Sequence, residues 1–322
     1  MKIGLYSVTY RGVWYRGDAV DVFGLVRLAK QQGWEGLELD TERPHAAPMD
    51  LSGDDRRRLR DLARDLGLEL CAVSPNCDLS SPVPGQREAM ICYVRECIKL
   101  AHDLGSPICK VFAAWRGVTL HDGIATYDET YGYNQYGFWK EDRRGFVVES
   151  MRELCKVAED YGVVLAMQNH GPDVVNSYPD VLSLIEEVGS PVFKACMDIN
   201  IETKPESAEH ARKMAEATGS LQIHSHMNGE FARRRDGSVV LVAAGYFDKN
   251  FWGRQVAYPA YVDALVASGY GGYVDWEFCH PANQDGKPVG IEYVHDQTQM
   301  ALEYLSALRE AAEQKAAAIV AS

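Results

Sequence analysis

The chain has no run approaching the roughly 18 consecutive apolar residues of a membrane-spanning helix, so no transmembrane segment and no membrane partner are expected. It has no excess of positive charge either: 33 Lys and Arg stand against 46 Asp and Glu, a net charge of −13. Binding a nucleic-acid backbone relies on lysine and arginine releasing counterions, so this balance argues against a nucleic-acid partner. The eight cysteines form no Cys-x-x-Cys pair; scattered mostly in apolar stretches, they read as reduced core residues. The opening residues enter a strand-like pattern without the charged, apolar and small-residue sections of a signal peptide, which makes cytoplasm the default expectation. A Gly-x-Gly-x-x-Gly is missing after the first strand-like stretch, which removes the nucleotide-binding form of an open doubly wound sheet. No low-complexity linker, composition shift or short-period repeat marks a second domain.

What is present is a repeated alternation of short apolar stretches with helical patterns, in a chain 46% hydrophobic and 25% charged, as a soluble globular protein requires. The pattern predicts strands at 3–8, 36–40, 68–74 and 108–113. Asp18 is expected to cap a helix that Gly33 ends, Ser52 to open a charged helix that Gly67 stops, and a further helix is expected over 86–104. Residues 115–144 break the alternation as a long irregular insertion dense in aromatics, the kind of loop that usually lids or lines a site. Helices over 145–161, 179–188 and 205–218 then precede strands ending in Gln168, Asp198 and His226. A second excursion, 229–252, carries a hairpin signal around Arg233-Arg234-Arg235-Asp236-Gly237-Ser238. A helix over 258–268, a strand to Glu277 and a long amphipathic helix from about 292 close the chain, with 313–322 expected as a peripheral tail. Eight strands alternating with eight helices predict a single (β/α)8 TIM barrel over 1–322, with insertions after the fourth and seventh strands.

Strands of a parallel barrel are buried on both faces, and sites form at their carboxyl ends. Four successive strand endings here carry potential ligands: Gln168, Asp198, His226 and Glu277. Two carboxylates, an imidazole and an amide oxygen suit one divalent ion, Mn²⁺ first and Mg²⁺, Co²⁺ or Zn²⁺ as alternatives, whereas a structural zinc would ask for thiolates. A single polar residue at a strand end is more often a hydrogen-bonded cap; four in register make a site the better reading. For proton transfer the candidates are Glu277 and His170, whose bland alternative is an anchor of the strand-to-loop turn. His224 alternates with His226 and shares its face, so ligand, supporting partner and core residue all stay open. Trp115, His121, Tyr136 and His280 are candidates for substrate contact; Glu38 and Lys110 could meet sugar hydroxyls or form a salt bridge inside the barrel.

The strand–helix order together with Gln168-Asn169-His170-Gly171, Met197-Asp198-Ile199-Asn200, Ile223-His224-Ser225-His226-Met227-Asn228-Gly229-Glu230 and Asp275-Trp276-Glu277-Phe278-Cys279-His280-Pro281 resembles the xylose-isomerase-like barrel group. That group includes sugar isomerases, ketose 3-epimerases, inosose dehydratases and AP-endonuclease relatives. The resemblance implies that Gln168, Asp198, His226 and Glu277 hold the catalytic divalent ion, with Gln168 where the group usually has Glu. In the epimerases two Glu ligands act as paired acid and base; a Gln side chain cannot take up a proton at neutral pH, so a symmetric two-carboxylate epimerisation is not expected. Within the group the chain is similar to the large subunit of C-glycoside deglycosidases in its Gln-Asn-His segment, its Glu-Phe-Cys-His-Pro ending and its aromatic insertion. That likeness implies cleavage of 3-oxo-C-glucosides by β-elimination, a small β subunit as partner and a hetero- or homo-oligomer. The other readings are a keto-sugar (phosphate) isomerase or ketose 3-epimerase, and a non-catalytic sugar-binding or assembly subunit. A DNA-repair endonuclease ranks below these, because it needs more zinc ligands and a cationic surface.

Overall fold

Helix ends in this chain are written into its polar residues. Asp21 accepts from the backbone N–H groups of Phe23 and Gly24 at 3.0 and 3.1 Å, satisfying two of the donors that a helix start leaves open. Helix α1 therefore spans Val22–Gln32, beginning at Asp21 and not at the expected Asp18. It stops at Gly33, whose φ of +100° is accessible to glycine without strain. Helix α2, Gly53–Leu66, opens on a capping box between Ser52 and Asp55. The structure is a computed structural model that describes residues 1–115, 117–127, 143–171, 174–243 and 256–320.

Among the described residues the remaining helices are α3 (Pro84–Leu104), α4 (Arg143–Tyr161), α5 (Tyr178–Val188), α6 (Ala208–Thr218), α7 (Tyr258–Ala267) and α8 (Ile291–Val320). The last runs through the Ala-rich stretch expected as a peripheral tail, alanine being the strongest helix former. Helix α6 starts at Ala208, not 205, because Ser207 supplies its cap. Eight parallel strands close the barrel: β1 (Lys2–Tyr6), β2 (Gly36–Asp40), β3 (Glu69–Ser74), β4 (Ile108–Val111), β5 (Val164–Gln168), β6 (Phe193–Asp198), β7 (Gln222–Asn228) and β8 (Tyr273–Glu277). They pair in chain order, and β8 closes onto β1. Strand β1 is shorter than expected. After Tyr6 the chain turns into a 3₁₀ segment, Ser7–Tyr10, whose Ser7 Oγ accepts the Asp40 N–H at 2.7 Å. The insertion after β4 holds an antiparallel pair, Thr119–His121 with Ile124–Thr126, and the one after β7 holds the expected hairpin, Glu230–Arg233 with Val239–Ala243.

The apolar core lies mainly between barrel and helices. A small separate apolar cluster, Ala72, Ile108, Ala166 and Cys196, comes from strands β3 to β6 of the barrel, with Ile223 packed against it. All eight cysteines are free, and most are buried as expected; Cys92 is exposed on α3. No described helix is long and apolar enough to cross a membrane.

His45 is buried with Nε2 3.1 Å from the Val20 carbonyl oxygen; burial, reinforced by nearby Arg11, pushes its pKa down to about 4. The folded protein keeps it neutral while the unfolded chain protonates it near 6.5, so its contribution is complete above pH 6.5 and is lost as pH falls toward 4. In urea unfolding titrations the stability gap between wild type and His45→Gln should therefore narrow by up to about 3 kcal/mol over that interval. A gap independent of pH would contradict this.

Candidate active site

Register brings the four strand-end residues together. Asp198 lies opposite His226, His226 opposite Asp275, and Gln168 opposite Cys196. Because alternate residues of a strand share a face, Cys196 and Asp198 point one way, as do His224 and His226, and Asp275 and Glu277. The barrel interior is thus stacked in levels, with Gln168, Asp198, His226 and Glu277 buried around its upper end. His226 Nδ1 is 3.7 Å from Glu277 Oε2. Burial, then the Glu277 charge, pushes Asp198 up to about 7, with His226 pulling the other way.

Below these, Glu38 from β2 and the two histidines of β7 form a compact group. Glu38, His224 and His226 present ligand atoms within 4.8 Å of one another and make a possible metal site. Hydrogen bonds already fill it: Glu38 Oε2 is 2.8 Å from His224 Nε2 and 2.6 Å from His226 Nε2. His224 Nε2 also lies 3.2 Å from Asp275 Oδ2. Burial alone would lower the His224 pKa; Asp275 and Glu38 outweigh it and push the imidazole up to about 10. Burial would raise Glu38, but His226 and His224 hold its carboxyl well below the usual range.

Two atoms fit a cation placed higher, between the strand ends. A carboxylate can only accept, so the proton of a neutral His226 sits on Nε2 facing Glu38 and the lone pair on Nδ1. That Nδ1 is buried without a hydrogen-bond partner, and so is Gln168 Oε1. Unsatisfied buried acceptors are costly, and a cation is the group that satisfies acceptors from several side chains at once. The donor set of Gln168, Asp198, His226 and Glu277 therefore fits a divalent ion.

Gln168 and Glu277 open into a pocket that is also lined by Tyr6, Trp14, Phe112, Trp115, Tyr127 and His170. His170 Nδ1 lies 3.0 Å from the Gly171 carbonyl oxygen, which can only accept, so Nδ1 carries the proton and Nε2 the lone pair. Its ring sits 4.4 Å from Trp115 and 5.2 Å from Phe112. The ring is half-buried at the pocket wall; its desolvation, and then the Lys110 charge, push its pKa down to about 3 despite the Gly171 bond.

The expected substrate contacts separate. Trp115 lines the pocket, whereas His121 is exposed on the Thr119–His121 strand outside it and Tyr136 lies outside the described residues. His224, Glu38 and Lys110 are fully buried beneath the floor and do not line the pocket. Of their two readings, Glu38 and Lys110 take the internal one: Nζ is 3.8 Å from Glu38 Oε1 and 3.9 Å from the centre of the Phe112 ring. His280, also outside the lining, pairs through Nε2 with Glu230 Oε1 at 2.8 Å, fastening the β7 hairpin to the loop after β8.

Sequence reasoning passed over the asparagines. Asn169 donates to the Asp198 carbonyl at 2.9 Å and accepts the Asp198 N–H at 2.7 Å, tying the ends of β5 and β6. Glu202 accepts from Asn169 Nδ2 at 2.9 Å and from the Tyr178 N–H at 2.7 Å, which docks α5 behind them. Tyr258 donates to Asn200 Oδ1 and accepts the Asn228 N–H, joining β6, β7 and α7. A signal was there: each of Gln168, Asp198 and His226 is followed within two residues by Asn.

A closed parallel barrel with such a site at its carboxyl end has a known place. The chain belongs to the family described as the xylose isomerase-like TIM barrel, whose model matches residues 26–310. Among solved structures it is similar to D-psicose 3-epimerase from Clostridium cellulolyticum H10 with D-tagatose, at 19% identity and a TM-score of 0.69, covering 96% of this chain and 99% of that one. It is similar also to L-ribulose 3-epimerase, at 19% identity and TM-score 0.66 over 99% and 97% of the two chains. The third is the apo 3-keto-D-glucoside 4-epimerase from E. coli, at 15% and 0.64 over 94% and 99%.

Two placements of a metal can be told apart by Mn²⁺ binding measured by calorimetry and electron paramagnetic resonance. Asp198→Asn and His226→Ala should each weaken binding at least about tenfold, while folded His224→Gln should keep one ion within a few-fold of wild type. Loss of the ion in His224→Gln with retention in Asp198→Asn would move it to the Glu38 group.

Proposed function

We propose that the protein is a divalent-metal-dependent enzyme that enolises a keto-sugar and acts as an isomerase or epimerase. The observation that carries this reading is the pair of unsatisfied inward acceptors, Gln168 Oε1 and His226 Nδ1, beside Asp198 and Glu277 at the mouth of the barrel. Two carboxylates, an imidazole and an amide oxygen favour Mn²⁺, with Mg²⁺, Co²⁺ and Zn²⁺ the ions to compare with it. Bound there, such an ion would polarise the ketone and stabilise charge developing on the enolate.

The chain's own residues handle the proton. Gln168 contributes an oxygen but no titratable group, so proton transfer falls to Glu277 and His170. His170 is neutral at pH 7, and its lone pair lies on Nε2, the atom that would accept a proton. Phe112 and Trp115 pack against the imidazole ring. The Asn169 clamp holds the Asp198 backbone against β5, and Glu38 holds His226 in its tautomer. Return of the proton to the opposite face gives an epimer, and return to the neighbouring carbon gives an isomer.

A second reading has one observation behind it. Trp14 stacks on Tyr127 with centroids 5.7 Å apart and Trp115 meets Tyr127 at 5.8 Å, so the pocket has an aromatic wall suited to an aryl group. On this reading the same enolate expels the aryl carbon of a 3-oxo-C-glucoside by β-elimination, with a small partner subunit completing the assembly.

The deciding experiment is isotope exchange. Incubation with Mn²⁺ in D₂O and a panel of free ketoses and 3-oxo-glycosides should place deuterium beside the carbonyl of at least one substrate, read by NMR. Chelator should abolish the exchange, and His170→Ala should slow it at least a hundredfold. Aglycone release would select the second reading. Metal-loaded protein that exchanges no proton in any ketose would sink both.

A further inference from the structure

The far end of the pocket holds a polar group that the proton chemistry does not use. Arg11, Glu42 and Asn76 line it from the loops after β1, β2 and β3. Arg11 Nη1 is 3.2 Å from Asp40 Oδ2, and its Nη2 is 2.5 Å from Glu42 Oε2. Asn76 hydrogen-bonds the Glu42 carboxylate, whose side chain stays about one-third exposed (34%). Arg11 Nε is buried without a hydrogen-bond partner, leaving one donor unspent. Tyr6 lies between the two ends, within range of the Asp40 and Arg11 charges on one side and the Glu277 charge on the other.

We propose that Arg11, Glu42 and Asn76 form a distal subsite that recognises the neutral hydroxyl end of an unphosphorylated sugar. The proposal deepens the keto-sugar reading and rests on it. A guanidinium beside a carboxylate and an amide presents donors and acceptors together, which is what a vicinal diol needs, since each hydroxyl both gives and takes a hydrogen bond. Charge among the described lining residues opposes the phosphorylated alternative. Arg11 is the only Lys or Arg among the described lining residues, and it faces two carboxylates. Lys110, the nearest cation below, is fully buried against Glu38 and cannot reach the pocket. A phosphate entering here would meet Glu42 with no cation other than the paired Arg11 among the described lining residues to offset the repulsion.

The test is binding, so that it does not depend on turnover. Saturation-transfer NMR and competition titrations would compare D-fructose with D-fructose 6-phosphate on the full-length, Mn²⁺-loaded protein. Wild type should bind D-fructose and discriminate against the phosphate at least tenfold. Glu42→Ala and Asn76→Ala should each weaken D-fructose binding roughly tenfold, Glu42→Gln less, and Glu42→Lys should reverse the discrimination. Thermal melts would establish that each variant is folded. Equal or tighter binding of the phosphate by wild type, unchanged D-fructose binding in folded Glu42→Ala, or no binding of either sugar would each overturn the proposal. Binding that follows this pattern without proton exchange in any ketose would leave the subsite standing and count against the keto-sugar chemistry alone.

Discussion

The carboxylate of Glu38, held in the barrel between two imidazoles, is the contact on which the upper site depends. One oxygen faces both His224 and His226, and the other accepts from Ser74 Oγ and looks toward Lys110. Asp275 closes the set from β8 through His224. Four ionisable side chains, Glu38, Asp275, Lys110 and His224, are thus buried where most barrels of this kind carry branched aliphatics. Two carboxylates against an ammonium and a protonated imidazole sum to no net charge, so each group offsets the desolvation of another. The arrangement stabilises little by itself. What it supplies is orientation, because His226 can turn Nδ1 toward the strand ends only while Glu38 holds Nε2.

Backbone geometry serves the same end. A Cβ on Gly4 would lie 1.9 Å from Asp275 Oδ1, so β1 leaves room for that carboxylate only because it carries glycine there. Above, the asparagines behind Gln168, Asp198 and His226 replace strand hydrogen bonds that end as the chains diverge into loops. They give the strand ends the rigidity that a site built on several loops would lack. One pocket is lined by Glu277 and His170, by the polar residues Arg11, Glu42 and Asn76, and by the aromatic rings of Trp14, Trp115 and Tyr127.

The barrel, its strand count and its two insertions were legible in the sequence because short apolar strands alternate with helical patterns, several of them bounded by polar caps and glycine stops. Element limits were less so: Asp21 rather than Asp18 caps α1, and the alanines after 313 continue α8. Of the candidate site, Gln168, Asp198, His226, Glu277, His170 and Trp115 could be picked out because each ends or follows a barrel strand. Arg11, Glu42 and Asn76 could not, since a charged or amide residue in a loop looks the same whether it meets water or a pocket.

The amino-acid order by itself determined which residues sit at strand ends, because the alternation of faces and the position of a polar residue after an apolar run are properties of the local chain. Only the tertiary structure decided what each of them faces. His224 and His226 are equivalent by spacing, yet closure of the barrel places Asp275 beside the first and Glu277 beside the second. His170 reads as either a proton-transfer group or a turn anchor until the fold packs Phe112 and Trp115 against its ring and lowers its pKa. Burial and charge pairing are set by residues distant in sequence, so protonation and ligand orientation, on which chemistry at this site turns, emerge only when the eight strands close.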